Sequence, residues 1–267
     1  MNVAAQPDAE LLRFAGDLAD TAGSVIRPYY RTPVAVDDKP DASPVTIADR
    51  ETEQAMRRAI EARYPEHGVI GEEFASVRPD ADYLWILDPI DGTKQFITGK
   101  PTFGTLIALL HRGTPILGVI DIPMLGERWL GALGHPTLFH DTGGERSVRC
   151  RPCPSLDRAM LYTTAPENFL DRDRSRLQRL SKSVKVPSYG GDCFNYGLLA
   201  SGFCDLVVDG TMDGHDFAAL IPIIEGAGGI VSDAAGNRLR PVESECDFVL
   251  AAGDARTHAA ALDILAG

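Results

Sequence analysis

The first half of the chain alternates between helical and extended hydrophobic patterns. In residues 8–30 the apolar side chains recur every three or four positions, the spacing of an amphipathic helix. A segment rich in proline and aspartate, 31–49, predicts an extended loop, and residues 51–64 predict a second helix. Apolar runs bounded by glycine or proline then predict strands at 67–73, 83–88, 103–113, 115–122 and 126–133.

After about residue 140 the pattern changes, because predicted strands now alternate with predicted helices. The strands are expected at 159–164, 184–191, 204–210 and 229–233, and the helices at 173–183, 192–202 and 216–228. This alternation favours a layered α/β protein. We expect an N-terminal α+β half, 1–140, and a C-terminal α/β half, 141–267, joined in one compact catalytic unit.

Composition narrows the possible functions. The chain has 267 residues, with 26 Lys plus Arg against 38 Asp plus Glu, for a formal net charge of −12. That acid excess argues against nonspecific nucleic-acid binding, although metal ions can convert carboxylates into an anion site. The apolar runs are too short to cross a bilayer, and the N-terminus lacks the pattern of a secretory signal. We therefore expect a cytoplasmic protein that binds neither nucleic acid nor membranes.

The cysteines leave two interpretations open. Five are present, and Cys150 and Cys153 form a C-x-x-C pair with a proline inside it. A structural zinc site would need a second pair, which the sequence lacks. Reduced thiols are the simpler interpretation, and a zinc or redox pair is the alternative.

The stretch WILDPIDGTKQF, residues 85–96, concentrates candidate chemistry. An apolar strand leads to Asp88, and Pro89 disfavours a regular continuation of that strand. Asp91 follows three residues after Asp88, so a sharp strand end can direct both carboxylates to one place. Gly92 allows close approach of a ligand, and a helix starting here would offer free N–H groups to an anion. Hard oxygen ligands beside an anion site suit Mg²⁺, whereas the alternative is an ordinary Asp-rich turn.

Other acids also stand where predicted elements begin or end. Glu72 and Glu73 close an apolar strand, Asp49 precedes the second helix, and Asp216 begins an apolar helix. Taken singly, each acid is explained equally well as a ligand, as part of a solvated face, or as a favourable charge at a helix start. Their repeated placement at element ends favours one shared site.

Together these motifs resemble the inositol monophosphatase-like superfamily. The matching residues are Pro44-Val45-Thr46, Asp49, Gly71-Glu72-Glu73, the run from Asp88 to Thr93, Asp216, and the run from Glu225 to Gly229. The resemblance implies a five-layer αβαβα sandwich and a Mg²⁺-dependent, lithium-sensitive phosphatase of small phosphate monoesters. It also implies a homodimer, since members of the superfamily are commonly dimeric.

The resemblance assigns roles residue by residue. It implies a first metal held by Glu72, Asp88 and the Ile90 carbonyl, a second held by Asp88, Asp91 and Asp216, and phosphate contacts from Gly92 and Thr93. Catalytic roles fall to Glu72 and Thr93, which position the attacking water, and to Asp49, which pairs with Thr93 and helps to hold a further, weaker metal. We thus expect two or three Mg²⁺ ions, which can hold both the attacking water and the leaving oxygen. His215 departs from the tryptophan common at that position, and we interpret it as a packing change rather than a ligand.

The substrate is expected to be set by the second half of the chain. Asp192 and Asp209 replace a small residue and a glutamate of inositol phosphatases, and two carboxylates favour a cationic alcohol. The segments GDCFNY and FGTLIAL, with GERW, are most similar to the histidinol-phosphatase branch. The resemblance therefore implies hydrolysis of L-histidinol phosphate in histidine biosynthesis. The alternatives are an inositol-1-phosphate or broad sugar-phosphate phosphatase, and an Asp192 that only caps the following helix.

Overall fold

The computed structural model describes residues 5–38, 44–242 and 245–267. Within these ranges the helices are α1 Ala9–Ile26, α2 Ile47–Arg63, α3 Thr93–Ile97, α4 Asp171–Ser183, α5 Cys193–Ala200, α6 Gly214–Phe217, α7 Leu220–Gly226 and α8 Ala255–Ala266. The strands are β1 Val36–Asp38, β2 Pro44–Thr46, β3 Gly68–Gly71, β4 Tyr83–Asp91, β5 Gly104–His111, β6 Thr114–Ile122, β7 Glu127–Ala132, β8 Leu138–Asp141, β9 Gly144–Ser147, β10 Met160–Thr163, β11 Val186–Tyr189, β12 Leu206–Met212, β13 Ile230–Asp233 and β14 Cys246–Ala252.

Two sheets carry most of the core. In the described ranges the larger one has seven strands in chain order from β3 to β9, and only β3 and β4 run parallel. The smaller sheet has the order β11-β10-β12-β14-β13. Its β10 runs parallel to both β11 and β12, whereas β14 is antiparallel to its neighbours. The mixed order follows from crossover connections through helices, which parallel pairs require.

Helices cover both sheets on both faces. The helices α1 and α2 bury Leu18 and Met56 against one face of the large sheet. On its other face, Trp129 of the sheet packs with Leu199 of α5, Ile223 of α7 and inward residues of the small sheet. The far face of the small sheet is covered by α4 and α8. The described residues thus form an αβαβα sandwich, and the predicted five-layer fold is confirmed.

The site-bearing strand β4 departs from its prediction in one respect. It continues through Pro89 to Asp91, and its pairing with β5 shifts register between Asp88 and Asp91. Thr105 of β5 donates its hydroxyl hydrogen to the Pro89 carbonyl oxygen at 2.8 Å. Because proline cannot donate to the ladder, the strand bulges there instead of ending.

Other predicted boundaries also differ from the structure. Helix α2 begins at Ile47 rather than at residue 51, so Asp49 lies inside it. The helix expected over 216–228 is divided into α6 and α7, because Pro222 cannot donate an N–H to the carbonyl one turn earlier. The loop expected over 31–49 contains β1 and β2, which pair antiparallel, while its residues 39–43 lie outside the described residues. The large sheet extends to Ser147, beyond the proposed division near residue 140, and the division itself stays a prediction.

Two smaller expectations concern cysteines and membranes. Cys150 and Cys153 are free thiols, and burial raises the pKa of both, to about 12 for Cys150. A raised pKa disfavours the thiolate that zinc binding or redox exchange needs, which supports the interpretation as reduced thiols. Among the described residues, no helix combines the length and the apolar character of a membrane span.

The central helical layer depends on two glycines of the large sheet. A Cβ atom at Gly131 would lie 2.4 Å from the backbone nitrogen and Cα of Ile223 in α7. A Cβ atom at Gly118 would lie 2.1 Å from the Ala219 carbonyl oxygen. The backbone of the central layer therefore rests directly on β6 and β7.

This contact predicts the effect of a single methyl group. We expect Gly131→Ala to lower the free energy of unfolding by about 1–3 kcal/mol, the usual range for overpacking. Gly16→Ala is the control, because its Cβ would meet only the Arg128 guanidinium at 3.7 Å and alanine favours helix. Urea unfolding of both variants measures the difference, and equal stability of the two would contradict this packing.

Candidate active site

The site begins at the bulged end of β4. The Asp88 side chain is only 2% exposed, and its Oδ1 atom accepts the Ile90 N–H at 3.0 Å. Gly92 follows with φ of +82°, a conformation that favours glycine, and α3 begins at Thr93. The Thr93 hydroxyl donates to the Ile90 carbonyl oxygen at 3.1 Å. The predicted helix start after Asp91 is thus present.

Two other helices complete an acidic cluster at this strand end. Asp91 Oδ2 accepts the N–H of Cys193, the first residue of α5, at 2.6 Å. Asp216 of α6 accepts the Asp213 N–H at 2.7 Å in a capping box. Carboxylate oxygens of Asp88, Asp91 and Asp216 lie within 4.8 Å of one another. We call these three residues the acidic cluster.

Glu72 lies beside the acidic cluster because β3 and β4 pair in parallel. The register places Gly71 beside Leu87, so Glu72, the residue after β3, lies next to Asp88 of β4, where the bulge begins. The Glu72 carboxyl lies against Asp88 and, after burial, is the largest cause of the raised pKa of Asp88. The strand-end placement inferred for Glu72 is therefore what the structure shows.

Asp49 approaches the cluster from the first turn of α2. Its Oδ2 atom accepts the Thr46 N–H at 2.8 Å and the Thr46 hydroxyl at 2.5 Å, which completes a capping box. Its Oδ1 atom lies 3.5 Å from the Thr93 hydroxyl oxygen. Thr46 thereby fixes the carboxylate so that its other oxygen faces the site.

The electrostatics of the site favour a bound cation. Burial raises the pKa of Asp88 and Asp91 well above the ordinary value, with further contributions from Glu72 and Asp192 respectively. Burial also raises the pKa of Asp49 and of Asp216 to about 6. Close carboxylates removed from water are costly when ionised. An all-oxygen donor set of this kind fits a hard divalent cation such as Mg²⁺.

The raised pKa values of Asp49 and Asp216 also determine how the free energy of unfolding changes with pH. An unfolded aspartate titrates at about pH 3.9, whereas Asp49 and Asp216 titrate at about 6 in the fold. Between these values the folded, metal-free chain holds more protons than the unfolded chain. Its free energy of unfolding therefore falls as the pH rises through this window. A cation competes with these protons, so its affinity rises over the same window.

A cavity of about 130 Å³ adjoins the acidic cluster, and we call it the acidic cavity. Its lining includes Asp91, Asp216, Asp192 and Asp209. Asp209 accepts the Thr164 N–H at 2.7 Å and the Tyr196 hydroxyl at 3.1 Å. Burial raises the pKa of Asp209 to about 7. Both predicted substrate residues thus line one space beside the acidic cluster.

Asp192 is held in an unusual conformation. Its φ is +46° and its ψ is −136°, a region that costs a non-glycine residue about 1–3 kcal/mol. Its side chain makes no capping hydrogen bond to α5, so the interpretation of Asp192 as a helix cap is wrong. Its carboxylate lies 3.0 Å from the position of a Cβ atom at Gly92. Its Oδ2 atom is buried without a hydrogen-bond partner among the described residues.

The profile of the inositol monophosphatase family matches residues 8–265 of this chain. The chain belongs to the inositol monophosphatase family. It is a phosphatase of that family and therefore a hydrolase. The resemblance noted in the sequence is confirmed over nearly the whole chain.

Individual members of the family show how similar the chain is to known proteins. The bifunctional phosphatase IMPL2, chloroplastic, of Arabidopsis thaliana is 49% identical over 97% of this chain and 76% of its own. Histidinol-phosphatase of Chlorobaculum parvum is 35% identical over 85% of this chain and 87% of its own. A solved inositol monophosphatase from Zymomonas mobilis is 45% identical, with a TM-score of 0.88, covering 98% and 100% of the two chains. Because one relative is chloroplastic, the cytoplasmic location stays a prediction.

The structure adds residues near the site that sequence reasoning did not single out. Tyr196 and Thr164 hold Asp209, and Thr105 holds the bulge at Pro89. Glu53 is 0% exposed and lies on the buried face of α2 with Thr52 and Met56. The sequence did offer a signal for Glu53, because a glutamate at a buried position of an amphipathic helix is unusual. His215 lies with its Nε2 atom 3.5 Å from Asp216 Oδ1, and its role as a packing residue stays a prediction.

The acidic cluster predicts opposite effects of Asp91→Asn with and without metal. Asparagine keeps an acceptor for the Cys193 N–H but removes one repelling charge, so the metal-free variant should unfold at a higher temperature near pH 7. The wild-type chain should gain about 2.7 kcal/mol at a hundredfold excess of Mg²⁺ over Kd, and the variant should gain much less.

Thermal unfolding with and without Mg²⁺ measures both effects. Asp157→Asn is the matched control, since it removes the same charge at an exposed position. Equal Mg²⁺-dependent stabilisation of wild type and Asp91→Asn would be incompatible with a metal site at the acidic cluster.

Proposed function

We propose that the chain is a Mg²⁺-dependent histidinol-phosphatase, which hydrolyses L-histidinol phosphate to L-histidinol and phosphate. The observation that carries this proposal is the buried, unpartnered Oδ2 atom of Asp192 beside the acidic cavity. Burial raises the pKa of the Asp192 carboxyl, although a hydrogen bond with Gln95 and the charges of Lys94 and Lys100 oppose this rise. A donor that reaches the open Oδ2 atom, best a cationic one, would stabilise its ionised form further. Relatives named histidinol-phosphatase, including that of Chlorobaculum parvum at 35% identity, support the same substrate.

The metal-binding part of the proposal uses the acidic cluster and its neighbours. The ligands would be Asp88, Asp91 and Asp216, with Glu72 and the carbonyl oxygen of Ile90. Two or three Mg²⁺ ions there would supply a water of lowered pKa and would neutralise charge on the phosphate. The observed convergence of carboxylate oxygens within 4.8 Å supports this arrangement.

Asp49 and Thr93 would handle the proton of the attacking water. The Thr93 hydroxyl hydrogen points to an acceptor, either the Ile90 carbonyl at 3.1 Å or Asp49 Oδ1 at 3.5 Å. The hydroxyl oxygen is then free to accept a hydrogen bond from the water and to orient it with Glu72. Because the pKa of Asp49 is about 6, this carboxylate is mostly ionised near neutral pH and can receive the proton through Thr93.

Gly92 and Thr93 would bind the phosphate through their backbone. The positive φ of Gly92 turns the chain sharply from β4 into α3. The first N–H groups of α3 have no acceptors within the helix and are therefore available to a ligand. Such groups suit phosphate oxygens. Asp192, packed against Gly92, then stands near the leaving alcohol.

The acidic cavity would select a cationic leaving group. L-histidinol carries an ammonium and an imidazole that titrates near neutrality. Asp192 offers the unpartnered Oδ2 atom, whereas both oxygens of Asp209 already accept hydrogen bonds. Asp192 would therefore provide the direct contact, and Asp209, with a pKa of about 7, would add negative charge only in its ionised fraction.

A second candidate is an inositol-1-phosphate or broad sugar-phosphate phosphatase. The Zymomonas mobilis structure, named an inositol monophosphatase, favours it at 45% identity, and the Arabidopsis relative is named bifunctional. Hydroxyl groups of a polyol can also donate to carboxylates. The homodimer and the lithium sensitivity implied by the family resemblance apply to both candidates and stay predictions.

The two candidates predict different responses to Asp192→Asn. We expect kcat/KM for L-histidinol phosphate to fall about 10–100-fold, the effect of losing a charge-assisted hydrogen bond of about 1.5–3 kcal/mol. The values for inositol 1-phosphate and glycerol 2-phosphate should change by less than about threefold, because these alcohols are neutral.

Steady-state kinetics with Mg²⁺ on all three esters tests this difference. Asp157→Asn again serves as the control for a lost surface charge. Equal losses on the cationic and neutral esters would reject the ammonium contact, and a wild-type preference for inositol 1-phosphate would favour the second candidate.

A further inference from the structure

A buried ion pair on α2 lies beside the segment that carries Glu72. Glu53 is fully buried and accepts the Arg57 Nε hydrogen at 2.7 Å, one helical turn later. Its two oxygens also accept backbone hydrogens, from Glu73 at 2.7 Å and from Phe74 at 3.3 Å. The carboxylate is therefore used to hold the backbone that follows β3.

Arg57 holds the same segment through its carbonyl groups. Its Nη2 atom donates to the Phe74 carbonyl oxygen at 3.0 Å, and its Nη1 atom donates to that of Ala75 at 3.1 Å. Glu53 and Arg57 thus bind both donors and acceptors of residues 73–75, and we call the pair the Glu53–Arg57 clamp. Arginine suits this task because its donors form a rigid fork.

Gly71 allows the clamp to approach the end of β3. A Cβ atom on Gly71 would lie 2.1 Å from Glu53 Oε1, so any larger residue would push the carboxylate away. Glu72 is thereby fixed on both sides, by Gly71 at the strand end and by the clamped Glu73. The same helix carries Asp49 in its first turn, so α2 sets the positions of two acids of the site.

Helix packing alone does not account for this pair. The next buried positions of α2, Met56 and Ile60, are apolar, and an apolar residue at position 53 would pack beside them without the cost of burying a charge. The contacts that the charge provides are all to the segment after Glu72. A buried carboxylate that accepts backbone hydrogen bonds holds that backbone in one arrangement.

We propose that Glu53, held by Arg57, is a positioning residue that orients Glu72 toward the acidic cluster. This inference rests on the proposed function, specifically on Glu72 as a ligand. Partners that orient metal ligands typically change metal affinity 10–100-fold when they are replaced. Because Glu53 contacts no reacting atom, its loss should weaken metal binding more than it lowers the maximal rate.

The test measures binding of Mg²⁺ alone to the metal-free chain of 267 residues. Thermal unfolding is followed over a Mg²⁺ titration for wild type, Glu53→Gln, Arg57→Lys and the control Arg58→Lys, which alters an exposed arginine at the next position. We expect the Mg²⁺ concentration at half-maximal stabilisation to rise at least tenfold in the first two variants. It should change less than twofold in Arg58→Lys, and kcat of the two clamp variants should recover at saturating Mg²⁺.

The possible outcomes distinguish a failure of the Glu53–Arg57 clamp from a failure of the metal assignment. An unchanged Mg²⁺ midpoint in Glu53→Gln and Arg57→Lys overturns the clamp, even if both variants melt at lower temperature without metal. If Glu53→Gln does not fold, Arg57→Lys alone decides, since it keeps a cation beside Glu53. A wild-type chain that Mg²⁺ does not stabilise overturns the metal assignment itself, and with it this inference.

Discussion

The mutual repulsion of buried carboxylates at the end of β4 is the constraint on which the site depends. Asp88, Asp91 and Asp216 bring oxygens within 4.8 Å of one another, with Glu72 against Asp88. In the low dielectric of a protein edge these groups cannot all be ionised cheaply. Either protons or a divalent cation must neutralise them, and near neutral pH a cation is the better solution. The surrounding fold keeps the acids together despite this cost.

Backbone hydrogen bonds hold the acids where their charges alone would separate them. Asp91 is fixed by the N–H of Cys193, Asp216 by that of Asp213, and Asp49 by the capping box with Thr46. In each case one carboxylate oxygen accepts a backbone N–H. The proposed Glu53–Arg57 clamp extends the same logic to Glu72, through the backbone rather than the side chain. Rigid elements thus supply preorganisation that loops alone would not.

The sequence was most informative where hydrophobic runs meet acids. Strand β4 and the acids Asp88 and Asp91 were predicted because an apolar run with D-P-I-D-G-T has few structural alternatives. The bulge at Pro89 was not predicted, since it depends on Thr105 from the neighbouring strand. The positive φ of Asp192 and the burial of Glu53 were missed for a similar reason, because long-range packing sets both. Strand β14 and helix α8 were also missed, since a short apolar run does not distinguish strand from helix.

The central claim is that the acidic cluster binds divalent metal. The most direct measurement is anomalous diffraction from crystals grown with Mn²⁺ as a substitute for Mg²⁺. The account predicts Mn²⁺ peaks at the acidic cluster, within bonding distance of the carboxylates of Asp88, Asp91 and Asp216. Crystals of an active, Mn²⁺-saturated enzyme with no peak at these residues would contradict it.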